Sequence, residues 1–327
     1  MQAPNFWTSR GMAAQILRPL GAIAALATAR RVARLGVKMP IPVICVGNIN
    51  AGGTGKTPTV IALIERLAAR TITPTIVTRG YGGRLLGPLL VDPNLHSAAD
   101  VGDEPLLLSA FAQVIVARDR AAGARMAHDM RAQVIVLDDG HQNPSLVKDL
   151  SIVVVDAGYG FGNGLCLPAG PLREPVRAGL ARADMVISIG DAAAQADFAL
   201  CWGQKIAPLP HITGALRPLP MGVDWQGAKV VAFAGIGRPE KFFSSLRAAG
   251  AILLHAEALG DHAPLPEALL SRLLAQARAH GADLVTTEKD AVRLPPRYRS
   301  EVLTLPVRLH FADATPLDAA LDRLGLV

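Results

Sequence analysis

The stretch Val43–Pro58, VICVGNINAGGTGKTP, joins a short apolar run to a glycine-rich loop ending in Gly55-Lys56-Thr57. Glycines permit turns at positive φ, and successive backbone N–H groups in such a loop converge on phosphate oxygens. A lysine at this place reaches the β- and γ-phosphates of a nucleotide, and the threonine hydroxyl after it holds Mg2+. Ala51, Gly52, Gly53, Thr54, Gly55, Lys56, Thr57 and Pro58 are therefore the expected nucleotide-binding residues. The usual spacing is G-x-x-x-x-G-K-[ST]; here Asn50 stands first, and Gly52, Gly53 and Gly55 supply the flexibility. An ordinary glycine-rich turn is the bland alternative. The strand before the loop and the amphipathic helix after it argue for the phosphate cradle.

A second candidate is Val134–Asp138, four apolar residues ending in an acid that is doubled by Asp139. In a P-loop enzyme such an acid sits beside Mg2+. Gly102-Asp103-Glu104-Pro105 opens a predicted helix. Asp103 there is either a helix-start acid and nothing more, or a carboxylate that takes the proton of an attacking hydroxyl. Spacing alone leaves both open. Leu167–Glu174 is a proline-bounded loop, Gly260-Asp261-His262 is an exposed-looking loop, and Thr286–Asp290 is a polar turn or a second-domain contribution to a cleft.

These residues need a scaffold. From Pro40 onward, Val/Ile runs alternate with helical patterns, which predicts an α/β fold: a P-loop NTPase-like parallel sheet flanked by helices. Ligands of such sheets bind at the carboxyl ends of the strands. The P-loop, Thr78-Arg79, Asp138-Asp139 and Asp156 then share one rim. A second strand–helix series from residue 229 predicts a smaller α/β domain. The expected divisions are an N-terminal helical segment over 1–38, a P-loop domain over 39–225 and a smaller domain over 226–327 that completes the cleft. A last strand is expected around 302–311. Phe233–Glu240 lacks the third glycine of a dinucleotide loop and reads as a tight strand-to-helix turn.

The formal net charge is +6, and it is unevenly placed. Residues 1–64 contain no acid, while Arg10, Arg18, Arg30, Arg31, Arg34 and Lys38 precede the P-loop. Residues 5–35 read as helical with a break at Pro19, and the run Leu20–Ala29 is shorter than the roughly 20 apolar residues of a bilayer span. A helix lying in one leaflet, with arginines at the headgroups, fits better than a core helix or a signal peptide. Cys45, Cys166 and Cys201 are scattered, so neither a disulfide framework nor a zinc site is expected. No nucleic-acid motif accompanies the basic charge, so an anionic lipid surface is the better partner.

Taken together, Val46–Asn48, Gly52–Pro58, Thr78–Arg84, Gly102–Glu104, Asp138–Gly140 with Gln142, Phe161–Gly164, Leu167–Glu174, Asp261-His262 and Thr286–Val292 resemble the tetraacyldisaccharide 4′-kinases, the lipid A 4′-kinases of Gram-negative bacteria. The resemblance implies transfer of the γ-phosphate of ATP to the 4′-hydroxyl of an acylated glucosamine disaccharide 1-phosphate. It implies a site at the cytoplasmic face of the inner membrane, with monotopic or peripheral attachment and no obligate protein partner. By motif match, Asp103 is the general base with His262 as its charge partner, and Lys56 holds phosphates. Thr57 and Glu174 handle Mg2+, while Asp138 and Asp139 shape the metal and substrate site. Two positions depart from the family pattern: Ala263 follows His262 where a second histidine is frequent, and Asn143 stands where histidine is common.

Two other classes share parts of this pattern. A nucleotide-switch ATPase also has the P-loop and the acid-ended strand, but no guanine signature or D-x-x-G follows here. A kinase or ligase for a soluble small molecule is the third.

Overall fold

The computed structural model describes residues 4–219 and 222–327; the first three residues of the expected N-terminal segment lie outside them. In chain order, the first eight strands are β1 (Val43–Gly47), β2 (Pro74–Thr78), β3 (Leu89–Leu90), β4 (Gln113–Val116), β5 (Val134–Asp138), β6 (Leu150–Asp156), β7 (Met185–Ile189) and β8 (His211–Pro218). Five more follow: β9 (Lys229–Ala234), β10 (Ile252–Ala258), β11 (Asp283–Thr287), β12 (Val302–Leu305) and β13 (Val307–Phe311).

The large sheet runs β13-β8-β7-β6-β1-β5-β2-β4-β3. Its seven inner strands are parallel, and the edge strands β13 and β3 pair antiparallel. Helices cover both faces, so β1, β5, β6 and β7 are buried at every residue and read as unbroken Val/Ile runs rather than alternations. Ile44, Val46, Val136 and Ile152 pack on one face with Val60, Leu63 and Leu67, while Val43, Cys45 and Ile135 pack on the other with Ala121 and Ala124. β1 lies between β5 and β6, with Val46 in register with Asp138 and Ile152. The end of β1 thus delivers the P-loop beside the acid that ends β5.

The smaller sheet, β10-β9-β11-β12, is parallel throughout. Phe242, Phe243 and Leu246 cover one face; Leu270 and Leu273 cover the other.

The first strand of this unit begins at Lys229, and the chain's last segment does not stay in the small sheet. Only Pro306 separates β12, in the small sheet, from β13, which pairs with β8 in the large one. The helix Thr315–Arg323 then packs on the P-loop helix: Leu317 and Leu321 enter the large core, and Asp318 accepts from Arg66 at 2.8 Å and from Arg70 at 2.8 Å. Apolar residues recur on both sides of Pro306, so the pattern from 302 to 311 reads as one strand and the crossing between sheets falls at the proline. Between Ala192 and Pro218 the chain forms a helix, Ala192–Ile206, and strand β8 of the large sheet.

The N-terminal helix spans Met12–Val32 and continues through Pro19, contrary to the expected break. Taken whole, it is long and apolar enough to cross a membrane by length and composition. Ala14, Gly21 and Thr28 are its buried residues. They recur every seven residues and so form one stripe. At Gly21 a Cβ would lie 2.7 Å from the Cys166 carbonyl oxygen, which explains the glycine. The opposite face is apolar and open: Met12 is 80% exposed, Ile16 70% and Ile23 65%. Buried Asn163 fastens the segment before the helix, donating to Phe6 O at 3.1 Å and Ser9 O at 3.0 Å.

Candidate active site

The P-loop is shaped from below. Asn48 Nδ2 donates to Gly52 O at 3.3 Å and Thr54 Oγ1 at 3.1 Å, tying the loop across its base. Asn50 is buried, and its Nδ2 donates to Gly160 O at 3.0 Å. Its side chain anchors the loop to the turn after β6, a tie that glycine at this position cannot make. Gly52 and Gly55 sit at φ 103° and 92°, the region where a side chain is strained. A Cβ on Gly52 or Gly53 would meet no protein atom within 4 Å, so the loop's inner surface is open. Lys56 begins the helix Lys56–Ala69, whose free N–H groups and positive end face this space.

The strand-end acids differ sharply. Asp138 is buried; its Oδ2 accepts from Thr78 Oγ1 at 3.1 Å, and its Oδ1 has no hydrogen-bond partner among the described residues. Burial, reinforced by Glu104, pushes its carboxyl up to about 7. Asp139, at φ 54°, turns to Lys56 Nζ at 3.6 Å and Arg173 Nη1 at 3.0 Å. Burial alone would raise Asp139, but Lys56 and Arg173 outweigh it and hold the carboxyl below the usual carboxylate range. Glu174 is buried nearby, its Oε1 accepting from Gln142 Nε2 at 2.9 Å and Arg182 Nη2 at 2.8 Å. Gln142 Nε2 also donates to Asn48 O at 2.7 Å. Glu174, to which the resemblance gave a metal role, is joined to the base of the P-loop through Gln142.

Asp103, buried at the start of the helix Asp103–Leu108, meets His262 from the loop after β10. His262 Nδ1 lies 2.9 Å from Asp103 Oδ2 and 3.1 Å from Oδ1. Arg293 Nε is 3.8 Å from Asp103 Oδ2, and Lys289 Nζ is 3.2 Å from both His262 Nε2 and Glu104 Oε1. Burial would raise the Asp103 carboxyl, but His262, Lys289 and Arg293 together hold it below its ordinary value. The hydrogen bond to Asp103 holds the His262 ring above its ordinary value, against burial and Lys289. Tyr81 stands edge-on to the His262 ring, centroids 5.4 Å apart.

Two cavities meet here. One, of about 250 Å3, runs from Gly53–Pro58 between the two sheets, with Ile61, Ile189, Ile236, Phe242 and Leu305 as apolar walls. The other, of about 750 Å3, is lined by Lys56, Asp138, Asp139, His262 and a group of cations: Arg31, Arg79, Arg118, Arg120 and Arg173. The loop, both strand-end acids, Asp103 and His262 thus lie together around these cavities. Arg118 and Arg120 were not singled out from sequence. They follow the end of β4 on the expected ligand rim, which is the signal that could have found them. Arg238 and Lys241, paired with Asp156 beside the smaller cavity, were also missed.

Residues 13–325 match the family model of tetraacyldisaccharide-1-P 4′-kinase. The chain is similar to the tetraacyldisaccharide 4′-kinase of Dinoroseobacter shibae, at 62% identity over 99% of this chain and 98% of the relative. The protein of the same name from a Jannaschia species is 58% identical over 99% of each. Among solved structures, LpxK from Aquifex aeolicus in complex with ATP superimposes with a TM-score of 0.75 at 25% identity, covering 96% of this chain and 99% of that one.

Proposed function

Since the chain belongs to the tetraacyldisaccharide-1-P 4′-kinase family, we propose that the cleft between its two sheets performs that family's phosphoryl transfer with the residues described above. The protein is an ATP-dependent kinase that moves the γ-phosphate of ATP to the 4′-hydroxyl of tetraacyldisaccharide 1-phosphate. The nucleotide lies along the P-loop, with Lys56 and the backbone N–H groups of residues 52–57 on its phosphates. The anionic disaccharide headgroup enters the arginine-lined cavity.

The carrying observation is the Asp103–His262 pair: His262 lines the acceptor cavity, and Glu104 beside Asp103 lines both cavities. Asp103 accepts the 4′-hydroxyl proton as that oxygen attacks the γ-phosphorus, and the bond to the β-phosphate oxygen breaks to release ADP. His262 donates from Nδ1 to Asp103 and fixes its orientation. The low carboxyl pKa keeps Asp103 ionised at neutral pH, so its contribution is placement more than basicity.

The residues also fit Mg2+, a hard cation that takes oxygen ligands and keeps several waters. Thr57 Oγ1 and the unpartnered Asp138 Oδ1 would hold it. When bound, it neutralises charge on the β- and γ-phosphates. Glu174 supports this side indirectly, through Gln142.

The N-terminal helix supports attachment to the cytoplasmic face of the inner membrane. Its open apolar stripe enters the leaflet, and Arg30 and Arg34 meet anionic headgroups. Arg31, on the same helix, lines the acceptor cavity, so a lipid headgroup has a short route from bilayer to site.

The test is incubation of purified protein with Mg-ATP and the acceptor lipid, followed by mass measurement of the product. One added phosphate is expected. Folded, ATP-binding protein that leaves the lipid unchanged overturns the reading.

A further inference from the structure

We propose that Lys289 is a second catalytic lysine, contacting the phosphoryl group in transfer from the side opposite Lys56. The inference rests on the kinase reading above and assigns a residue which that reading left without a role.

Transfer requires the γ-phosphorus and the acceptor oxygen to meet where the two cavities join. Gly53, Lys56, Glu104, Asp261 and Lys289 line both. Two of these are cations, and they come from different units: Lys56 from the first turn of the P-loop helix, Lys289 from the short helix Glu288–Ala291 after β11. A phosphoryl group passing from one cavity to the other runs between them.

Lys289 is held for such a task. The turn that carries it is pinned by buried Asp290, which accepts from Gly235 N at 3.0 Å and Thr287 Oγ1 at 2.7 Å. Its Nζ lies 3.2 Å from Glu104 Oε1 and 3.6 Å from Asp261 Oδ1. Burial opposes the ammonium charge, but Glu104, Asp103 and Asp261 outweigh it and keep Lys289 protonated. The side chain is 18% exposed, open enough to exchange one carboxylate for a phosphate oxygen. In the transfer step Lys289 gains and loses no proton: the hydroxyl proton goes to Asp103, the bonding pair leaves with ADP, and Lys289 donates hydrogen bonds to the equatorial oxygens of the phosphoryl group.

Lys289 also lies 3.2 Å from His262 Nε2, so the competing account is that it acts only by positioning His262. The experiment separates the two. K289M and K289R are prepared in the full chain, alone and combined with H262A. Binding of ATP and of ADP is measured without acceptor, and kcat and KM are measured with acceptor lipid and Mg-ATP. K289M should weaken ATP by about 10- to 100-fold while leaving ADP unchanged, because only ATP carries the γ-phosphate. It should lower kcat by about 100- to 1000-fold with little change in acceptor KM, and K289R should recover part of that loss. The same fold-loss should persist in the H262A background. Equal effects on ATP and ADP, or a loss that vanishes in H262A, overturn the assignment. Should K289M lose its folded circular-dichroism signature, K289Q gives the same readouts. An inert wild type would instead refute the kinase reading, and the ATP-against-ADP comparison would still report on Lys289.

Discussion

His262 and Asp103 are 159 positions apart in sequence, yet His262 Nδ1 sits 2.9 Å from Asp103 Oδ2, one residue supplied by each side of the cleft. In the proposed mechanism the contact makes the competence of Asp103 as base depend on the placement of the smaller unit.

Asp103→Asn and His262→Ala should therefore lower kcat, by about 100- to 10,000-fold for the former, while ATP affinity stays within a few-fold of wild type. Steady-state kinetics beside equilibrium nucleotide binding checks this. A comparable loss of ATP affinity in Asp103→Asn would remove it from the role of base.

The same pair has a pH signature in stability. The folded-state pKa of His262 is raised above its ordinary 6.5 by Asp103. Its contribution to stability is then fully present below 6.5 and fades as pH rises through the higher folded value. The melting temperature of wild type minus that of His262→Gln should be largest in mildly acidic buffer and should shrink as pH rises. A difference independent of pH would mean that the ring contributes packing alone.

Asp138 carries the opposite sign. Its folded-state carboxyl is raised from 3.8 to about 7, so folding favours the protonated acid and stability declines as pH rises across that interval. Without nucleotide or divalent cation, Asp138→Asn should melt above wild type at pH 8, and the difference should close as pH falls toward 4. Activity should nevertheless fall, since the amide cannot replace an ionised oxygen beside Mg2+. Thermal melts across pH with both proteins give the answer; equal melting at pH 8 would contradict burial as the cause of the shift.

Much of this site was readable in the chain, because each piece obeys a local rule. Glycines at residues 52, 53 and 55 mark a loop, and an acid ending an all-apolar strand marks the rim of a parallel sheet. What was hidden depends on long-range packing. Glu174 reads from spacing only as the end of a proline-bounded loop, and its contacts with Arg182 and Gln142 come from packing. Apolar residues recur from 302 to 311 as in one strand, yet Pro306 divides the segment between two sheets. Arg31 reads as one basic residue among several on a helix, and only the docking of that helix through Ala14, Gly21 and Thr28 brings it to the larger cavity.

That docked helix separates folding from lipid capture, because its two faces do different work. Ile16 and Ile23 are exposed and make no core contribution, so Ile16→Glu/Ile23→Glu should melt close to wild type. The same change places two carboxylates on the face proposed to enter the leaflet, where each opposes insertion and is repelled by anionic headgroups. Flotation with anionic vesicles should drop at least tenfold, and kcat/KM for acceptor in vesicles should fall with it. With acceptor dispersed in detergent, where no bilayer need be engaged, most of the activity should return. Gly21→Leu tests the other face: its side chain would strike the Cys166 carbonyl, so it should lower the melting temperature and disturb Arg31 at the acceptor cavity even in detergent. Retention of vesicle binding by the double glutamate variant would assign the exposed stripe some role other than membrane contact.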